Sequence, residues 1–559
     1  MEHRHLGTKI NPFLSLKGNG SMIRPTIPNF FRRSEFIQLA GRLFLLLIFS
    51  SAYLYPFLRV LWRIGDEGSV VYGAQLVSEG AIPYRDFFEV MGPASFYWLA
   101  IFFKIFGTKW VVSRLVLLLT VSISTIMIYW MTRRLYAGSF DVLPAFFFLM
   151  TGVPLWPGVS HHWDSIFFAL LSFGTFLLWQ DSARRWLLGV AGVFSGLTSC
   201  FIQQKGVLLV LALLLAIYLN GRKSGEDRSK MLADVGFLLS GFLLVGGIVL
   251  IFFYRVGGFP DLIYDNLLWP LSNYYNVNIT PYGYGLQKFF FPYWKLILED
   301  IFTFTIHQAI LGIFLFPFVV ILILPVLVFA MAILFCIDST KRPLIFNLFT
   351  IPYWLTALAL WMSEIHRKDI SHIIWGSPLL LVIFYFIWNI SFEKWRNLRL
   401  LGMSLLMISL TLFGAFNIII ATRADYQIAT RRGTVHSHKN ENVLRFLHDQ
   451  VKMGEYVFVY PYYPMYYFLA GIRNPTEYSI LMYNINTEAQ FHKAISDLER
   501  KKVRYILWDT YVEGQNLKTW FPQYEHPSRN NLEIERYIET HYEVKEIRNG
   551  FKIMQRKEE

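Results

Sequence analysis

Carboxylates gather at one place in an otherwise apolar chain. Between Ile64 and Glu89, directly after the first long apolar run, stand Asp66, Glu67, Asp86 and Glu89, with Arg85 among them. Asp66 and Glu67 open a short helix, about Val70 to Ser78, which Gly80 and Pro83 close. An acidic loop tethered to lipid at both ends suits proton transfer or phosphate handling at a bilayer surface. Later apolar runs carry related groups at their ends: His161, His162 and Asp164, then Lys205, then His366, Arg367, Asp369 and His372. A carboxylate can take the proton of an attacking hydroxyl, while Arg, Lys and His neutralise a departing phosphate. Charged groups at helix ends beside a deep apolar body suit a substrate with a lipid tail and a phosphorylated head.

The elements that position these residues follow from composition. The chain has 559 residues, 54% of them hydrophobic, and a mean hydropathy of +0.39. Apolar runs of about 20 residues, enough to cross a bilayer, recur through the first three quarters. They are too long and too weakly alternating for barrel strands, so the class is polytopic α-helical. The net charge of +13 is unevenly spread. From 421 onward there are 20 Lys and Arg against 18 Asp and Glu, a net of +2; the preceding part has 32 against 21, a net of +11. That excess falls in short loops between apolar runs, as the positive-inside rule requires. It reports topology and gives no reason to expect a nucleic acid partner. Cys200 and Cys336 lie inside apolar runs and suggest neither a disulfide nor a metal framework.

Residues 1–35 read as a cytoplasmic tail, and 36–421 as a membrane domain of about eleven spans with an external loop at 59–110. Residues 422–559 read as a small extracytoplasmic α/β domain. In it, Tyr456–Tyr460 and Val503–Trp508 have the pattern of buried strands. Asn440–Val451 and Glu488–Lys501 have helical periodicity, and Asn549-Gly550 reads as a hairpin turn. A Tyr-rich external segment at about 255–308 contains an amphipathic stretch at 287–297. With this topology Asp66, Glu67, Arg85, Asp86, Glu89, His162, Asp164, Lys205, His366, Arg367, Asp369 and His372 all face the same compartment. The basic loops face the other.

Specific residues also resemble a known family. Asp66-Glu67-Gly68, Tyr72-Gly73-Ala74, Gly80 through Asp86, Gly92-Pro93 and Phe106-Gly107 resemble the first external loop of the protein O-mannosyltransferase-like glycosyltransferases. These belong to the GT-C membrane class, which includes the lipid A aminoarabinose transferases. Arg133-Arg134-Leu135-Tyr136, Asp164, Gly196-Leu197 with Gln204-Lys205-Gly206, and His366 to Pro378 extend the resemblance over roughly 40–390. It implies an inverting transfer of a sugar from a polyprenyl-phosphate donor to a lipid, glycan or protein acceptor. On the resemblance, Asp66 is the base, Asp164 assists, and Lys205 and Arg367 lie near the lipid phosphate. Glu67 is read as a further catalytic acid, and Arg85, Asp86, Glu89, His162, His366, Asp369 and His372 as further substrate-binding residues. Two departures stand out: Val90-Met91-Gly92 replaces the basic residue that often precedes the loop proline, and 422–559 lacks the sugar-binding repeats of eukaryotic mannosyltransferases. The implied location is a bacterial inner membrane with the C-terminal domain in the periplasm.

Plainer roles remain open for several residues. Asp66 suits a helix N-cap, Glu67 the helix dipole, and Arg85–Asp86 a pair that fixes the loop. No metal is assigned, since adjacent His161 and His162 point apart in a loop or strand; a divalent metal is compatible with the residues but not implied. A flippase of lipid-linked sugars, or a ligase or polymerase using a diphosphate-linked donor, is the alternative function.

Overall fold

The computed structural model describes residues 33–62, 65–285, 306–337, 343, 346–512, 514–527 and 532–558. Most of the tail and the amphipathic stretch at 287–297 lie outside the described residues. Nine helices come first: α1 (Arg33–Leu58), α2 (Gly65–Ser78), α3 (Ala94–Phe106), α4 (Trp110–Leu135), α5 (Leu143–Leu155), α6 (His161–Ser182), α7 (Trp186–Phe201), α8 (Gln203–Ser224) and α9 (Arg228–Arg255). Further long helices span Ile306–Ile337 and Arg396–Thr422, with shorter ones at Ile351–Ser363, Ile370–Gly376 and Pro378–Ser391.

Among the described residues, six helices are long and apolar enough to cross a bilayer, and a seventh results if the pair Ile370–Gly376 and Pro378–Ser391, bent by 67°, is one broken span. The sequence reading of about eleven exceeds this because it counts α5, α6, α7 and Ile351–Ser363 as spans, none of which is among these helices. Hydroxyls inside the apolar helices are satisfied by the helix itself: Thr120, Ser124, Thr125 and Thr132 each donate to a carbonyl one turn back in α4. A lipid surround demands such internal pairing. The outer face of α9 exposes Leu243, Leu244, Ile248 and Ile251, which suits contact with lipid tails. At the helix ends remote from the acidic loop, connections are tied by Arg133–Asp141 and Arg134–Asp181, both at 2.6 Å, and Arg185–Asp234 at 2.9 Å.

After Thr422 the chain turns to mixed structure. Strands β3 (Tyr426–Thr430) and β4 (Gly433–Ser437) form a hairpin. Its His436 exchanges backbone bonds with Arg59 and Leu61 after α1. A four-stranded sheet follows, with β5 (Val457–Tyr460) parallel to β6 (Tyr505–Asp509), and β8 (Phe551–Arg556) antiparallel to both β6 and β7 (Tyr542–Arg548). Asn549 and Gly550 both have positive φ, 50° and 79°, the conformation a tight hairpin turn requires. The strands and the helices Asn442–Gln450 and Glu488–Arg500 fall where the sequence pattern predicts them.

This C-terminal domain is docked on the acidic loop. Tyr467 lies 5.0 Å from Tyr72 of α2, ring to ring, and the Asn474 amide donates to the Tyr72 hydroxyl at 3.1 Å. Any side chain at Gly68 would collide with the Met465 backbone. From the other side, α2 is held by a buried ion pair. Glu67 Oε1 lies 2.6 Å from Arg114 Nη1 of α4, with both side chains almost fully buried. Glu67 also accepts from the Val159 amide at 2.9 Å, and Arg114 donates to the Pro157 carbonyl at 3.1 Å. A Cβ at Gly158 would stand 2.7 Å from the Glu67 carboxylate, so glycine makes this approach possible. Removing one partner of such a pair strands a buried charge. Glu67→Ala is therefore expected to cost about 3–5 kcal/mol of stability, while Glu67→Gln with Arg114→Met recovers most of it. Thermal unfolding of the detergent-solubilised chain measures both.

Candidate active site

Asp66 stands in the first turn of α2, beside the seam between membrane helices and C-terminal domain. Its Oδ1 accepts a 2.6 Å hydrogen bond from the Tyr462 hydroxyl. The two side chains line a small cavity with Phe88, Trp269, Tyr274 and Phe521. Aromatic rings enclose it: Phe88 meets Trp269 at 5.0 Å and Trp269 meets Tyr274 at 6.1 Å. Its volume is about 30 Å³, room for a water molecule and far too little for a sugar ring.

A separate group of ionisable side chains forms a buried cluster. Lys205, in the first turn of α8, is fully buried. Its Nζ lies 2.5 Å from Glu364 Oε1 and donates to Ser165 Oγ at 3.0 Å. His162 stacks on Trp375 with centroids 4.1 Å apart and planes 7° from parallel, and its Nδ1 lies 3.5 Å from Glu364 Oε1. His372 is edge-on to His162 at 4.6 Å. Asp369 caps the Ile370–Gly376 helix by accepting from the His372 amide at 3.0 Å. The same oxygen lies 2.8 Å from His372 Nδ1. Burial opposes charge on Asp369, but His372 and Arg367 hold its carboxyl far below the usual range. Burial likewise opposes charge on Glu364, and Lys205 and His162 outweigh it and hold that carboxyl well below normal.

Arg367 joins the cluster to the cavity. Its Nε donates to Asp369 Oδ2 at 2.7 Å and its Nη2 to the Trp520 carbonyl at 3.0 Å, and it sits 5.4 Å from the Phe521 ring centroid. Strand β2 (Arg367–Asp369), paired in parallel with β1 (Thr280–Tyr284), holds it there. The Asp66 carboxylate is within electrostatic reach of Arg367, His161 and Tyr274. His366 lies 5.8 Å from His372, edge to face.

The structure thus brings Asp66, His162, Lys205, His366, Arg367, Asp369 and His372 together. Most of the other candidates sit elsewhere. Glu67 is occupied by Arg114, as described above. Arg85 and Asp86 pair at 2.8 Å on the surface, where Arg85 donates to the Val256 carbonyl and Asp86 accepts from the Ile82 amide. They pin the loop to the end of α9. Asp164 is buried and faces Trp98 of α3, two residues and hence about 200° around α6 from His162. Glu89 is buried beside Asp66, and burial pushes its carboxyl up to about 8. Asp265 behaves likewise, raised to about 8 by burial and the nearby acids Asp261, Glu477 and Glu89. Sequence reasoning missed Glu364, Arg114 and Tyr462; the first two are charges beside or inside apolar helices, which by itself signals a partner.

Among the described residues, two groups have the residue types of a metal site: His162, Glu364 and His372 with ligand atoms within 4.8 Å of one another, and Glu488, His492 and Glu533 on the C-terminal domain. The first is buried and the second largely exposed.

Compared with protein-family models and with curated proteins, the sequence finds no match. Among solved structures the chain is similar to the archaeal oligosaccharyltransferase AglB from Archaeoglobus fulgidus in complex with an inhibitory peptide and a dolichol-phosphate. The TM-score is 0.49 at 12% identity, over 86% of this chain and 71% of that one. An Archaeoglobus fulgidus oligosaccharyltransferase complexed with Zn and sulfate gives 0.46 at 13% identity, over 89% and 71%. ArnT from Cupriavidus metallidurans bound to undecaprenyl phosphate gives 0.47 at 11% identity, over 93% and 98%. At these scores the likeness is loose, and the functional reading rests on the residues of the site.

The raised carboxyls set a pH dependence. Glu89 and Asp265 bind protons in the folded chain up to about pH 8 but release them near pH 4 when unfolded. The folded state binds more protons between these limits, so stability falls as pH rises from about 4 to 8. Glu89→Gln is expected to reduce the slope by up to about 1.4 kcal/mol per pH unit. Unfolding midpoints measured from pH 5 to 8 test this, and an unchanged slope would contradict it.

Proposed function

We propose that the protein is an inverting glycosyltransferase that moves a sugar from a polyprenyl-phosphate donor to an acceptor hydroxyl at the outer membrane face. One observation carries the reading: Asp66 lines an aromatic cavity, and Arg367 stands against the Phe521 ring of its wall, within electrostatic reach of Asp66. An acid on one side and a guanidinium beside imidazoles on the other suit a base and a phosphate site flanking one sugar. The Asp66 oxygen that now accepts from Tyr462 takes the acceptor proton as that hydroxyl attacks the anomeric carbon. The bond to the phosphate oxygen breaks on the opposite face, which inverts the centre. The lipid phosphate leaves toward Arg367, His366 and His372, needing positive charge more than a proton. Tyr274, Tyr462 and Trp269 offer ring faces to the sugar.

Helix ends support the orientation. The site lies where α6, α8 and Ile370–Gly376 begin and where α7 and Ile351–Ser363 end. Arg133, Arg134, Arg184, Arg185, Arg222 and Lys223 stand at the opposite ends. This alternation suits about eleven passes, with the basic ends cytoplasmic and the C-terminal domain outside. A bacterial inner membrane with a periplasmic site is the corresponding location.

Purified full-length protein given a radiolabelled polyprenyl-phosphate sugar and a membrane extract as acceptor tests the reaction. Asp66→Asn is expected to lower transfer about 10²–10⁴-fold, whereas Arg85→Ala, in the surface pair, leaves it near wild type. Transfer that survives Asp66→Asn would remove the base. The fixed charges of the cluster cancel, Lys205 against Glu364 and Arg367 against Asp369. Arg367→Ala is expected to weaken lipid-phosphate binding by on the order of tenfold. Equilibrium binding in detergent reads this effect.

A further inference from the structure

Two imidazoles and a carboxylate are a donor set for zinc or ferrous iron, and His162, Glu364 and His372 present one in a buried place. The spacing is near what an ion needs. Ligands on a common tetrahedral ion at about 2.1 Å stand about 3.4 Å apart, and His162 Nδ1 lies 3.5 Å from Glu364 Oε1. His372 even has the outer partner of a metal-bound imidazole, since its Nδ1 faces Asp369 at 2.8 Å and leaves Nε2 free to bind.

The cation beside these groups is nevertheless an ammonium. Lys205 Nζ lies 2.5 Å from Glu364 Oε1, with both side chains buried. A divalent ion and an ammonium cannot share one carboxylate in so dry a place, because their repulsion is barely screened. An entering metal would have to drive Lys205 from Glu364 and from Ser165 Oγ, with no solvent to receive the charge. The donor atoms fit a metal, but the charge balance does not. We propose that the Lys205 ammonium occupies, as part of the chain, the place of a divalent cation. It fixes Glu364 between His162 and His372, and the cluster binds no metal while Lys205 is present. Lys205 is thus a positioning residue, and its removal converts the cluster into a metal site.

The test reads cobalt binding to full-length, detergent-solubilised protein stripped with a chelator, with no substrate present, so it stands apart from the reaction proposed above. All variants carry His492→Ala to silence the exposed group on the C-terminal domain. The Lys205-containing protein is expected to show no cobalt absorption in the visible. Lys205→Ala gains one equivalent of Co²⁺ with d–d bands, and adding His372→Ala abolishes them. Should Lys205→Ala fail to fold, Lys205→Met keeps the stem volume and is titrated with Zn²⁺ by calorimetry. One equivalent of Co²⁺ bound with Lys205 in place, and lost in Glu364→Gln, would overturn the proposal. So would a folded Lys205→Ala or Lys205→Met that binds none.

Discussion

The Glu67–Arg114 pair is the constraint on which the site depends. A carboxylate and a guanidinium are buried together only when the geometry satisfies both, since each alone is severely penalised. Here the Val159 amide and the Pro157 carbonyl add hydrogen bonds to the pair, and the Trp110 ring covers the guanidinium at 3.8 Å, although Arg114 Nε is left without a hydrogen-bond partner. The pair therefore fixes α2, α4 and the 157–159 turn relative to one another. Asp66 precedes Glu67, and His161 and His162 follow that turn. One buried interaction thus sets both the acid and the imidazoles, although it takes no part in the chemistry proposed for them.

The C-terminal domain completes the arrangement from the other side. Its contacts on α2 run through backbone and rings: the Asn474 amide on Tyr72, Tyr467 against Tyr72, and the Met465 backbone over Gly68. Such packing tolerates little sliding. The same domain supplies Tyr462 to Asp66 and the Trp520 carbonyl to Arg367. It is part of the site's wall rather than an appendage to a membrane domain.

What the sequence disclosed follows from which facts are local. Apolar runs and the sign of the charges between them fix which helix ends lie together, and so group Lys205, His162 and the His366–His372 segment. The strands at 457–460 and 505–509 and the Asn549-Gly550 turn are equally local signals. Pairings between distant residues are not local: Lys205 meets Glu364, and Asp66 meets Tyr462, only once the helices and the C-terminal domain have packed. Helical geometry is equally local. Two residues along a helix rotate the side chain by about 200°, so His162 and Asp164 could not both face one cluster. Arg114 was legible too, because an arginine a turn inside an apolar helix requires a buried partner. Glu67 was the acid placed to provide it.

The cavity's size bears on how the proposed reaction would proceed. About 30 Å³ beside Asp66 leaves no room for a sugar while Tyr462 occupies the carboxylate. On the proposed reading, the hydroxyl of Tyr462 holds the position an acceptor hydroxyl must take, and binding exchanges one O–H donor for another. That exchange costs little in hydrogen bonding, because a donor replaces a donor. The larger cost is parting the aromatic contacts among Phe88, Trp269, Tyr274 and Phe521, which bury apolar surface. A sugar that stacks on the same rings restores much of that burial, whereas water does not. On that reading the aromatic walls favour a ligand with both a hydroxyl and an apolar face over water, the selectivity a transferase needs because water is the competing acceptor.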